Sequence, residues 1–165
     1  MKRLLTTLLT TGFILCSGTA FAESSLGFAA GSTRGAGVTY RTIPGADSDS
    51  RLGWQVTGIP VVTPEYGFLS LGLAAIYVLD HGRHGLLYAS FGMAGVKQWD
   101  SCGDGWEGCE EEAHWGIGAG PGIGFELRFW SNFGLALDVP LAFLYGDEGF
   151  VGIYPVPNTS IVYNW

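Results

Sequence analysis

The sequence predicts an all-β fold, an eight-stranded antiparallel up-and-down transmembrane β-barrel, and three observations carry that prediction. Hydropathy alternates with a period of two through residues 23–165, as it does in half-buried strands. The alternation is inverted relative to a water-soluble sandwich, because the face that lacks bulk is also the face that carries the charges. No segment after residue 22 can cross a bilayer as a helix: the longest uncharged apolar stretch, Gly67 to Leu79, has 13 residues against the ~20 a helix needs.

Composition agrees. Charged residues make up 14% of the 165-residue chain and apolar residues 47%, against ~25% charged residues in ordinary soluble domains. Aromatic residues at 14% exclude a disordered chain. With 8 Lys and Arg against 15 Asp and Glu, there is no basic stripe to neutralise phosphates, so nucleic acid is excluded as a partner. The 27 glycines follow no Gly-X-Y period, which excludes collagen.

Residues 1–22 read as a secretory signal peptide. Lys2 and Arg3 form the basic start, Leu4 to Cys16 the apolar core, and Ala20-Phe21-Ala22 a small-x-small cleavage site. The barrel domain is then 23–165, and removal of Lys2 and Arg3 makes the formal charge of −7 more negative by two.

The strands follow in order. Leu26, Phe28 and Ala30 share one parity. Val38 and Tyr40 oppose Thr39 and Arg41, and Leu52, Trp54 and Val56 oppose Gly53 and Gln55. Leu69, Leu71, Leu73, Ala75, Tyr77 and Leu79 lie together. From Leu86 to Trp99 both parities are partly apolar, and the faces stay unassigned. Residues 114–129 are the clearest: Trp115, Ile117, Ala119, Pro121, Ile123, Phe125, Leu127 and Phe129 oppose His114, a row of five glycines, Glu126 and Arg128. Residues 133–145 repeat the design, with Asp138 among the small residues, and the last strand runs from about Pro155 to Trp165. Apolar side chains facing lipid and small or polar ones facing a narrow lumen produce this inversion.

Eight segments over residues 23–165 allow roughly 18 residues for each strand with its connection, which suits strands of about 10 residues. The connections at 44–50, 80–85 and 131–132 are short or modest. Those at 100–112 and 146–154 carry more chemistry and fall at the opposite end, where outer-membrane barrels place their longer loops.

On these residues the chain resembles the small eight-stranded outer-membrane β-barrel proteins of Gram-negative bacteria over residues 23–165. The end, Ile161-Val162-Tyr163-Asn164-Trp165, is similar to the assembly signature of that class, with Ile161, Tyr163 and the terminal aromatic Trp165 on one face. The resemblance implies Sec-type export, residence in the bacterial outer membrane, recognition by the barrel-assembly machinery, contact with outer-membrane lipid and lipopolysaccharide, and a monomer without cofactor. The class contains adhesins, structural proteins and enzymes.

Eight strands enclose a lumen filled by side chains, so a general porin is not expected. The glycine row leaves room for side chains from the second strand on the opposite wall. Arg41, Glu126, Arg128 and Asp138 are expected to form a charge-balanced lumen cluster, because an unpaired buried charge is expensive. Such a cluster ordinarily holds a barrel together.

Two further sites need weighing. The run 100–112 holds six of the 15 acids and both cysteines of residues 23–165. In an exported chain, Cys102 and Cys109 read as a disulfide. Asp100, Asp104, Gly105 and Glu111 fit positions 1, 5, 6 and 12 of a calcium loop, but Cys102 occupies position 3 and a disulfide distorts the loop, so a solvated acidic loop is the plainer reading. His114 starts the sixth strand near the rim, where lipid A deacylases and acyltransferases that resemble this chain in size keep their chemistry. The deacylase pattern needs a Ser two residues on, and position 116 is Gly. Ser90 lies some nine residues down the neighbouring strand, beyond reach. His81 and His84 lack Cys or Glu at metal-ligand spacing and read as turn residues. The expected role is therefore structural or surface-interacting. A lipid-modifying enzyme is one alternative, and a soluble lipocalin-like barrel, which would expose its leucines to water, is another.

Overall fold

The computed structural model describes residues 22–63, 66–82, 84–100, 113–130 and 132–165. Nine strands lie in one sheet: β1 (Ala22–Ala30), β2 (Gly37–Pro44), β3 (Leu52–Val62), β4 (Tyr66–Gly82), β5 (Gly85–Asp100), β6 (Ala113–Phe129), β7 (Phe133–Gly146), β8 (Gly149–Pro155) and β9 (Asn158–Asn164). Each pairs antiparallel with its sequence neighbour through β7. β8 pairs with the first half of the return along β7 and β9 with the second half. These two are halves of one wall strand, interrupted at Val156-Pro157. Pairing of β1 with β9, from Ser25↔Asn164 to Ala30↔Thr159, closes the sheet. The fold is a closed eight-stranded antiparallel barrel.

Alternation of burial assigns the faces of most of the wall; β8, exposed at five of its seven positions, does not alternate. Outward positions are apolar and exposed, among them Leu69, Leu71, Leu73, Phe91, Met93, Ile123, Phe125, Leu135, Leu141 and Ile161. Inward positions are small or polar and buried, among them Ser25, Thr39, Arg41, Gln55, Thr57, Glu126, Asp138 and Ser160. This is a soluble protein turned inside out. On β5, Leu86 and Tyr88 point inward, and Leu87, Phe91 and Met93 outward. Its two faces were ambiguous because Leu86 and Tyr88 join Ile43, Ile76 and Val78 in an apolar cluster inside the lumen.

One end, here the lower, holds Ala22 and the connections β2–β3, β4–β5 and β6–β7. The upper end holds β3–β4, β5–β6 and β7–β8. The expected loop at 146–154 is not one: β7 and β8 meet at Gly146↔Gly149, so only Asp147 and Glu148 turn and 149–155 is wall. Gly149, at a φ of 96°, takes the left-handed conformation that so short a turn requires.

Aromatic rings mark both ends. At the lower end, Trp54, Tyr40, Trp165, Tyr163, Phe133 and Phe129 form a chain with ring centroids 5.3 to 6.4 Å apart. At the upper end Trp115 and Tyr145 are 5.7 Å apart. Phe133 and Tyr145 are separated by 12 residues of β7, about 40 Å of strand at ~3.3 Å per residue and ~30 Å of height at a tilt near 40°. That is the thickness of a bilayer hydrocarbon core, ~30 Å. No helix among the described residues is long and apolar enough to cross a membrane.

Candidate functional site in the lumen

The β1–β2 connection, 31–36, does not stand outside the barrel. β1 has 9 residues and β2 has 8, against 17 in β4 and β6, and the hairpin between them turns into the lumen. The amide of Gly35 donates to the Gly31 carbonyl at 3.1 Å, and Gly35 sits at a φ of 75°, which glycine adopts without strain. Thr33 and Arg34 are buried. The facing wall makes room with glycine: a Cβ at Gly72, Gly92 or Gly118 would overlap the carbonyl oxygens of Arg34, Thr33 and Ser32 respectively. The space beside the glycine row of β6 is thus partly taken by the backbone of this turn, not by side chains of β2 as expected. A main chain fits where β2 side chains would not because it approaches the bare glycine surface closely and still finds polar partners.

Five walls hold this plug. The Arg34 guanidinium donates to Gln55 Oε1 on β3 at 2.9 Å, pairs with Asp138 on β7 at 3.2 Å, and lies 5.2 Å from the Tyr88 ring centroid on β5. Asn158 Nδ2 of β9 donates to Thr33 Oγ1 at 2.9 Å, and the Ala36 amide donates to Ser70 Oγ of β4 at 2.9 Å. Asp138 also accepts from Ser90 Oγ at 3.1 Å and from Asn158 at 3.4 Å. Gln55 continues the network through Thr57 to Thr39.

A second charged group lies nearer the lower end. Arg41 of β2 and Glu126 of β6 meet at 2.5 Å across the lumen, both side chains almost wholly buried. Arg128 bridges Glu126 at 3.2 Å and Glu23 of β1 at 2.5 Å, and Arg41 Nε donates to Ser25 Oγ at 3.2 Å. Of the four residues expected in one cluster, Arg41, Glu126 and Arg128 come together, and Asp138 belongs to the upper group with Arg34. Each group is neutral: two arginines with two glutamates below, one arginine with one aspartate above.

Sequence reading missed Arg34, Thr33, Glu23, Gln55 and Asn158. The available signal was Gly31 and Gly35 bracketing an arginine in a short connection of an otherwise charge-poor chain.

Above the plug the lumen changes character. Phe68, Ala94, Val96, Gly116 and Leu144 face inward there and line a cavity of about 480 Å³ whose floor is Gly31, Ser32, Gly35 and Ala36.

The remaining sequence candidates lie apart. His114 Nδ1 is 3.2 Å from Asp147 at the exposed upper rim, and the same carboxylate accepts from the Trp115 amide at 3.0 Å. His114 pairs with Gln98, and Ser90 with Gly122, so Ser90 lies eight positions down β5, ~26 Å at ~3.3 Å per residue, engaged with Asp138. His81, opposite Leu86, and His84 are at the lower turn. Ile161, Tyr163 and Trp165 are exposed on the outer face at 50%, 45% and 60%. Cys102, Cys109, Asp104 and Glu111, and with them the disulfide and calcium expectations, lie outside the described residues, as does the side chain of Asp100. Among the described residues no three His, Cys, Asp or Glu side chains are grouped to hold a metal ion.

No protein-family profile matches the chain, and no characterised protein matches it in sequence. Solved structures do. The N-terminal β-barrel domain of Pseudomonas aeruginosa OprF superposes with a TM-score of 0.54 at 15% identity, over 90% of this chain and 100% of that one. Neisserial surface protein A gives a TM-score of 0.43 at 14% identity over 87% and 91% of the two chains. Ail, the attachment invasion locus protein of Yersinia pestis, gives 0.46 at 14% over 87% and 94%. The architecture is that of the eight-stranded outer-membrane barrels.

Proposed function

We propose that this protein is an integral outer-membrane barrel with a structural or surface-interacting role and an occluded lumen, exported through residues 1–22 and assembled through the Ile161, Tyr163 and Trp165 face. One observation carries the reading: a continuous belt of exposed Leu, Ile, Phe and Val side chains surrounds a lumen of buried, mutually neutralised charges. Soluble monomers rarely expose apolar patches beyond ~300–600 Å², so the belt needs lipid, and a lipocalin-like barrel in water is disfavoured. The two aromatic ends are the girdles that sit at the bilayer interfaces. The lower end, with Ala22 and the short turns, is periplasmic, and the upper end faces the outside.

The plug argues against a porin, since the turn at 31–36 and its five-wall network stand in the path a solute would take. Catalysis is disfavoured because His114 and Ser90 are far apart and Ser90 serves Asp138. Washing of cell envelopes with alkaline carbonate tests the reading. Retention of the protein in the membrane pellet is expected, and release into the wash would defeat it.

A further inference from the structure

We infer that the cavity above the plug takes an acyl chain of an outer-leaflet lipid, which enters sideways through a gap in the barrel wall; this rests on the membrane reading above. The gap follows from the short β1–β2 hairpin. Gly37 is packed against Gly58 and Ile59, and beyond them Pro60, Val61 and Val62 of β3 pair with β4 alone. On the other side β8 pairs with β7 alone. Among the described residues, the wall over the plug therefore lacks the two strands that would join Pro60–Val62 to Gly149–Pro155.

The edges of this gap are unsuited to a strand. Pro60 stands on one side and Pro155 and Pro157 on the other. Proline has no N–H to donate to a ladder and guards sheet edges against added strands. The same edges are apolar and exposed: Val61, Val62, Phe150, Val151 and Tyr154. They continue the lipid-facing belt to the mouth of the cavity, and Val151 lines both.

The interior matches a hydrocarbon chain. Below the plug the lumen is filled by side chains and carries buried charges, Arg41 and Glu126, beside the apolar cluster of Ile43, Ile76, Val78, Leu86 and Tyr88. Above it the cavity is lined by inward-facing Phe68, Ala94, Val96, Gly116 and Leu144 together with Ser32 and Ser70, and no charged residue is among its described lining. The volume of about 480 Å³ lies within the ~300–1,000 Å³ of small-molecule sites. The plug closes the bottom and limits how deep a chain can reach.

The full exported chain, refolded into phosphatidylethanolamine and phosphatidylglycerol vesicles with a trace of phospholipid bearing a diazirine near one acyl terminus, tests this by irradiation and mapping of adducts by mass spectrometry. Adducts are expected on inward-facing Phe68, Val96 and Leu144 as well as on belt residues such as Ile123 and Phe125. Gly116→Leu fills the cavity without overlapping backbone, because a Cβ there makes only ordinary contacts, with Val96 Cγ1 at 3.5 Å and the Tyr145 carbonyl at 3.8 Å. It should abolish the inner adducts and keep those on the belt, as should Val96→Phe if the first variant fails to fold. Belt adducts without inner ones in the wild type, inner adducts that persist in both folded variants, or inner adducts only from a free diazirine fatty acid would overturn the inference and leave the membrane reading intact. Absence of belt adducts as well would overturn both.

Discussion

Arg41 of β2 and Glu126 of β6 stand four strands apart on opposite walls, and their side chains meet at 2.5 Å inside the lumen. The contact braces the barrel across its diameter. Removing one member of a buried pair strands the other charge, a loss of about 3–5 kcal/mol. Glu126→Ala is therefore expected to lower the urea midpoint for unfolding from vesicles by that equivalent. The double variant Arg41→Met with Glu126→Leu should lose clearly less than the two single losses added together. Strict additivity would show that the two groups do not act as a pair.

Arg34 holds the plug to three walls through Gln55, Asp138 and the Tyr88 ring. In planar bilayers the wild type should be nearly silent and Arg34→Ala should conduct ions, since the turn then keeps only its Thr33 and Ala36 anchors. A silent trace for the folded Arg34→Ala protein would mean that other contacts close the lumen.

Glycine is needed where backbone meets backbone. Gly118→Val would drive its side chain into the Ser32 carbonyl. Either the folded yield falls severely or the turn is expelled and conductance appears. Gly116→Ala, two residues away with ordinary contacts, should refold like wild type. Equal yields and equal silence for both variants would contradict the close packing of turn and wall.

His114 is exposed beside Asp147 at the rim, and Ser90 lies eight positions down the neighbouring strand. Lipid A from cells that express His114→Ala should give the same mass spectrum as lipid A from wild-type cells. A lost or gained acyl chain that tracks with the histidine would revive a lipid-modifying activity.

The wall was legible in the sequence because lipid on one side and a narrow lumen on the other impose period two on Leu69–Leu79, 114–129 and 133–145. The partnership of Arg41, Glu126 and Arg128 was legible for the same reason, since charges on inward positions of a narrow barrel must find each other. Alternation is silent on connections. Ser32-Thr33-Arg34 has the composition of any exposed turn, and only the glycines on β4, β5 and β6, distant in sequence, show that it turns inward. Arg34 so positioned draws Asp138 away from the lower group. The run 146–154 carries Asp147, Glu148, Gly149 and Gly152 as a loop would, yet β7 supplies enough partners to keep 149–155 as wall.

The belt of outward leucines and phenylalanines around a closed barrel is the centre of this reading, and electrophoretic mobility after membrane fractionation tests it most directly. The protein should be recovered with the outer membrane and should migrate as a compact, faster band when unboiled and as a slower one after boiling. Identical mobility in both conditions, or recovery in the soluble periplasm, would contradict it.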